Sequence, residues 1–167
     1  MAIASDSKNI DEVVKEAGRL SAAAHTVDQL MNDITVLLHR EMLKYNWVGF
    51  YMLEPGIDPP VLVLGHYQGA RTPHTRIPLN QGICGAAASS GKTVVVDDVN
   101  NDPRYLACSL ETKSEIVVPV LVRGKVVGEL DIDSHFPAAF SAEDRELVEY
   151  CAALVGKKLE KPHPDTR

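Results

Sequence analysis

The stretch from Arg104 to Ser134, RYLACSLETKSEIVVPVLVRGKVVGELDIDS, constrains the fold more than any other part of the chain. It leads from a loop holding Cys108 into an apolar strand that begins at Glu115, turns at Arg123-Gly124 and returns as VVGELDIDS. On the return, Asp131 and Asp133 alternate with Leu130 and Ile132, so a period of two puts both carboxylates on one face and the aliphatics on the other. Aspartate opposes strand propensity and is costly to bury, so that face has to meet something positive or hydrogen-bonding.

Whether Glu115 joins the two aspartates is a question of hairpin register. A three-residue loop Arg123-Gly124-Lys125 sets Val122 opposite Val126 and Glu115 opposite Asp133. A two-residue Arg-Gly loop sends Glu115 to the other face, and a bulge near Pro119 shifts the count again. The first register is favoured, because it gathers three carboxyls close in sequence to Cys108.

A length of 167 residues suits one domain with a substantial core, expected over 9–160 with flexible ends at 1–8 and 161–167. A formal charge of −6 without a basic stripe argues against nucleic-acid binding. No run is long enough for a membrane span, and MAIASDSKNIDEVVKE lacks the pattern of a signal peptide. Three cysteines without a CxxC pair do not form a disulfide framework and fit a reducing cytoplasm. His66, His74, Cys84 and Cys108 match no compact zinc motif, so no metal or cofactor is expected.

Helical periodicity covers 9–24, and again about 27–44, where Leu30, Met31, Ile34, Leu37, Leu38 and Met42 form a core stripe behind a Thr26–Gln29 capping box. The pattern then changes to strands: WVGFYMLE and VLVLGHYQG as a hairpin, and a short strand near Thr75–Ile77. GICGAAASSGK reads as a small-residue helix, TVVVDDV as a strand, and the loop after it as having one helical turn past Asp102-Pro103. A closing helix spans about 141–159, capped by Ser141, with Leu147, Cys151, Leu154 and Val155 on its core stripe. The predicted class is α+β: an antiparallel sheet with the terminal helices on one face and loops with short helices, including the site, on the other.

The words NWVGFYMLE (46–54), LVLGHYQG (62–69), RIPLNQGICGAAA (76–88), LACSLETKSEIVVPV (106–120), GELDIDS (128–134) and FSAEDRELVE (140–149) occur in the order of a known family. The chain resembles the GAF domain and, within it, the free methionine-(R)-sulfoxide reductases. The resemblance implies a GAF-like fold and reduction of free L-methionine-(R)-sulfoxide, with Cys108 as the nucleophile that becomes a sulfenic acid. It also implies a thioredoxin-like dithiol reductant and often a homodimer. Two departures stand out: His74 occupies the place of the family's usual resolving cysteine, and Ser109 that of a common aspartate.

That chemistry assigns tasks to particular residues. Asp131 and Asp133 are candidates for the substrate ammonium. Glu115, crowded by two carboxylates, is the candidate acid for the sulfoxide oxygen. Trp47 and Tyr51 share a strand face and can wall the thioether end. Backbone N–H groups at the start of the Gly82–Ala88 helix can receive the substrate carboxylate. With His74 in the resolving position, Cys84 or an external thiol completes recycling, Cys84 being preferred. The rival reading is a non-catalytic GAF module that senses a small amino-acid-like ligand. His74 is its best support, and the acidic trio beside Cys108 opposes it.

Overall fold

The computed structural model describes residues 2–106 and 109–161, with side chains from residue 9 onward. Cys108 and the expected flexible tail from residue 162 therefore lie outside the described residues. In chain order the elements are α1 (Ala2–Ala23), α2 (Val27–Glu41), β1 (Trp47–Leu53), β2 (Val61–Gln68), β3 (Arg76–Pro78), α3 (Gly82–Ser90), β4 (Val94–Val96), β5 (Ser114–Val122), β6 (Lys125–Ser134) and α4 (Ala142–Glu160). The strands form one antiparallel sheet in the order β3-β2-β1-β6-β5-β4. No helix among the described residues is long and apolar enough to cross a membrane.

Alternation along the three central strands divides the core in two. Val48, Phe50, Ile116, Val118, Val120, Leu130 and Ile132 point to one face, where α1, α2 and α4 cover them with Val13, Leu30, Ile34, Leu38, Leu147, Cys151 and Val155. Trp47, Tyr51 and Val117 point to the other, against Ile83, Cys84, Ala87 and Ala88 of α3. The terminal helices thus share one layer, as the sequence pattern predicts, and the second face is left to α3 and loops.

Several boundaries differ from expectation. Helix α1 starts at Ala2 instead of residue 9, so the segment read as a flexible N-terminus is largely helical. Residues 2–8 mix alanines and a lysine with two serines and an aspartate and show no apolar period, which leaves pattern reading nothing to detect. Helix α2 ends at Glu41 because Met42 turns extended (φ −105°, ψ 99°), bringing Tyr45 into the core. The short strand before α3 is Arg76–Pro78. The expected turn at Asp102-Pro103 is present as a single hydrogen-bonded turn, from the Tyr105 N–H to the Asp102 carbonyl at 3.1 Å, and a 3-10 turn at Val99–Asn101 capped by Asp98 precedes it.

The hairpin reaches its expected outcome by another route. Arg123 and Gly124 form a two-residue turn with positive φ (52° and 79°), and Val122 pairs with Lys125, not with Val126. Alone, that turn would place Glu115 on the helix-covered face. Between Val120 and Leu121 the register shifts: Leu121 pairs with Val126, Val120 with Gly128, and Val127 is the extra residue of a bulge. The bulge restores parity, and Glu115 pairs with Asp133.

One polar knot ties the helical layer to the sheet. Ser141 and Asp144 form a reciprocal capping box at α4, and the other Asp144 oxygen accepts a 2.6 Å hydrogen bond from the Tyr45 hydroxyl. Asp144→Ala removes the carboxylate half of the capping box, leaving the Ser141 hydroxyl bond to the residue 144 N–H, and strips a buried phenol of its acceptor. The expected loss is about 2–4 kcal/mol, read from chemical denaturation with an unchanged denaturant slope.

Candidate functional site

The site is built across three strands by register. Trp47, Asp133 and Glu115 form one row on β1, β6 and β5; Gly49, Asp131 and Val117 form the next; Tyr51, Glu129 and Pro119 form the third. All nine share the face away from the terminal helices. The three expected carboxyls come together, with one oxygen from each of Glu115, Asp131 and Asp133 within 4.8 Å of the others. Each is at most 4% exposed, and no lysine or arginine among the described residues forms an ion pair with them.

Such a cluster cannot be fully ionised. Burial, more than the neighbouring charges of Asp131 and Asp133, pushes the Glu115 carboxyl well above its ordinary range. Like-charge repulsion, the cause expected from sequence, is the second contribution. Burial and then Asp133 also raise Asp131 well above its usual value, while hydrogen bonding from Glu115 opposes the rise. Asp133 is raised by burial and partly relieved by Glu115 and His135. Glu115 is thus the carboxyl placed to hold a proton shared with the two aspartates, whose charged forms its hydrogen bonding favours. One oxygen of each aspartate still lacks a hydrogen-bond partner.

An aromatic wall flanks the cluster. The Trp47 ring stacks between Tyr51 (centroids 6.1 Å apart) and Tyr67 (5.6 Å), and its Nε1 donates to the Ala70 carbonyl at 3.0 Å. Glycine at position 49 is required by close approach, since a Cβ there would fall inside the Trp47 indole. The Tyr51 hydroxyl donates to the His74 carbonyl at 2.7 Å, which ties the wall to the loop before β3.

Two cavities border the carboxyl cluster, one at Glu115 and Asp131 and the other at Asp133. The smaller, about 20 Å³, has Tyr51, Ile83, Cys84, Leu106, Glu115 and Asp131 among its lining. The larger, about 100 Å³, is bounded by Trp47, Arg71, Thr72, Ser109, Asp133 and His135 among others. Leu106 in one and Ser109 in the other are the nearest described neighbours of Cys108 in the chain. Gly82 and Ile83, at the start of α3, also line the smaller cavity, and the N-cap residue Gln81 makes no side-chain capping bond. The first N–H groups of that helix thus receive no acceptor from their own N-cap side chain.

Cys84 faces this interior with its thiol buried and held protonated, by desolvation first and then by Asp131, Glu129 and Glu115. Cys151 is packed under the helices, its thiol pushed up to about 12, as a core residue should be. His66 lies apart, 2.8 Å from Asp28.

Sequence reasoning missed Glu129 and Tyr67. Glu129 has the same strand parity as Asp131 and Asp133 in GELDIDS, which was signal enough to find it. Tyr67 reaches the wall only through the pairing of Gly49 with Tyr67 across β1 and β2, which no local pattern reveals.

The GAF domain family model matches residues 26–159. The free methionine-R-sulfoxide reductase of Saccharomyces cerevisiae is 42% identical over 162 residues, covering 92% of this chain and 89% of the yeast protein. The fold superimposes on the free methionine-R-sulfoxide reductase of Neisseria meningitidis, solved in complex with its substrate, with a TM-score of 0.84. The two are 34% identical, and the match covers 90% of this chain and 88% of that one. The Staphylococcus aureus fRMsr, also solved with substrate, matches with a TM-score of 0.81 at 35% identity, over 90% of this chain and 95% of the other.

Proposed function

Because the chain belongs to the GAF domain family, among its free methionine-R-sulfoxide reductases, we propose that it reduces free L-methionine-(R)-sulfoxide to methionine through a sulfenic acid on Cys108. The observation that carries this reading is the buried carboxyl trio beside an aromatic wall, with unpartnered oxygens and two bordering cavities. A buried anion without a counterion wants a cation or a proton, and a free amino-acid sulfoxide needs both an ammonium partner and a proton donor.

Asp131 and Asp133 receive the ammonium. Trp47 and Tyr51 hold the methyl and thioether end, and the start of α3 receives the carboxylate. Cys108 thiolate attacks the sulfoxide sulfur while Glu115 protonates the oxygen. The oxygen passes to Cys108 as a sulfenic acid, and the methionine sulfur gains two electrons. Cys84 attacks the sulfenic sulfur and expels water, leaving a disulfide that thioredoxin or a similar dithiol protein reduces. A reducing cytoplasm, in which Cys84 and Cys151 persist as thiols, is the compartment that suits this cycle. Requirements for both an ammonium and a free carboxylate make peptide-bound methionine sulfoxide a poor substrate.

The test is methionine release from the separated R and S epimers, and from a sulfoxide-containing peptide, with dithiothreitol and with a thioredoxin system. Turnover of the free R epimer alone is expected. No methionine under either reductant sinks the reductase reading, and tight binding without turnover would replace it with a sensor.

A further inference from the structure

Glu129 is the one carboxyl of the site face that the cycle above leaves without a task, and it is the most isolated. Its side chain is fully buried, and neither oxygen has a hydrogen-bond partner among the described residues. The strands beside it offer little: Pro119, opposite on β5, has no N–H, and the Tyr51 hydroxyl, opposite on β1, already donates to His74. From the third side α3 packs onto β5 and β6 and brings Cys84 against it. The thiol lies close enough to the carboxyl to favour its charged form by hydrogen bonding, yet the contact falls short of a hydrogen bond of good geometry. Buried polar groups are almost always satisfied, so an orphaned carboxyl next to a thiol calls for an explanation.

We propose that Glu129 is the general base of the recycling half-reaction, taking the proton of Cys84 as that sulfur attacks the Cys108 sulfenic acid. The assignment rests on the reductase reading and deepens it. In the step, the Cys84 S–H bond breaks and its proton moves to a Glu129 oxygen. The Cys84–Cys108 S–S bond forms as the Cys108 S–O bond breaks, and the departing hydroxide leaves as water with a proton from Glu115, which regains one from solvent after giving its first to the sulfoxide oxygen. Cys84 sulfur is oxidised and the sulfenic sulfur reduced, each by one electron equivalent, with no other reagent needed.

Proton affinity makes the pair suitable. An ordinary carboxylate is far too weak a base for a thiol, but burial, opposed by the Cys84 thiol and reinforced by Asp131, raises Glu129 well above the usual carboxylate range. The groups facing it are Cys84 on α3, Asp131 on its own strand and Tyr51 on β1, with Pro119 opposite on β5; none of these is a cation that would hold it ionised at rest. Glu115 cannot substitute, since it holds the proton destined for the oxygen.

The experiment forms the sulfenic acid in reductant-free enzyme, by one equivalent of methionine-(R)-sulfoxide or separately by hydrogen peroxide, and follows the Cys84–Cys108 disulfide by quenched alkylation and mass spectrometry. Methionine released in the same samples measures the competent fraction. Glu129→Gln should slow disulfide formation by about 100-fold or more and remove the rise of its rate with pH. Glu129→Leu should do the same while raising Tm, an outcome opposite to that of a structural residue. Disulfide formation at the wild-type rate and pH profile in both variants overturns the assignment, as does a wild-type enzyme that forms the sulfenic acid and no Cys84–Cys108 bond. If peroxide reveals Glu129-dependent disulfide formation while the sulfoxide yields no methionine, the assignment stands and the substrate reading falls.

Discussion

Cys108→Ser is expected to abolish methionine production from free methionine-(R)-sulfoxide, with a fall in kcat of at least about 10³-fold. The reason lies in where the oxygen must go. Reducing a sulfoxide needs an atom that accepts oxygen and releases two electrons, which a thiolate sulfur does and a serine oxygen cannot. Hydrogen bonding by Glu115 and contact with Trp47 can still hold the sulfoxide, so binding should persist where turnover is lost. Amino-acid analysis of quenched reactions, paired with substrate titration of the variant, separates the two. Activity within tenfold of wild type would move the nucleophile to another thiol, and Cys84→Ser in the same background would identify it.

Glu115→Gln is the second large effect, an expected loss of about 10²–10⁴ in kcat with a smaller change in KM. Glutamine keeps the shape and can still donate a hydrogen bond to Asp131 or Asp133, but it cannot deliver a proton to the sulfoxide oxygen. Burial raises the Glu115 carboxyl well above its ordinary 4.5, so the wild-type acid keeps its proton to higher pH than an exposed glutamate. Its activity should fall as pH rises through that raised value, and the fall should vanish in the variant. The same shift has a stability consequence with the reverse of the usual carboxylate sign. The folded state binds the proton more tightly than the unfolded chain, so this contribution is fully present below about 4.5 and is lost as pH rises through the folded value. Glu115→Gln should therefore melt higher than wild type on the alkaline side while being the poorer enzyme. A variant that melts lower across the whole range, with an unaltered pH–rate profile, would show Glu115 to be structural.

These effects depend on how the sheet gathers its carboxyls, and that was only partly legible. Parity along GELDIDS predicted the common face of Asp131 and Asp133, and the same parity applied to Glu129, which was passed over. The pairing of Glu115 with Asp133 was correctly expected through an incorrect turn. A two-residue Arg123-Gly124 turn and a bulge at Val127 each shift the face, and together they cancel. A bulge carries no residue signature as clear as that of a turn, so register is decided by whichever pairing buries Ile116, Val118, Leu130 and Ile132 together.

Local chemistry in the chain was enough for the class of fold, the core stripe of α2, the caps at Thr26 and Ser141 and the layering of helices on one face. Periodicity and capping act over a few residues, and those are the distances a sequence displays directly. Tertiary structure alone decided what the carboxyls are. It set Tyr67 and Trp47 in one stack, closed Cys84 in beside Glu129 and withdrew four acids from water with no lysine or arginine among the described residues paired to them. Protonation is settled by the whole surroundings of a group rather than by its neighbours in the chain, which is why the acids were visible in the sequence and their proton was not.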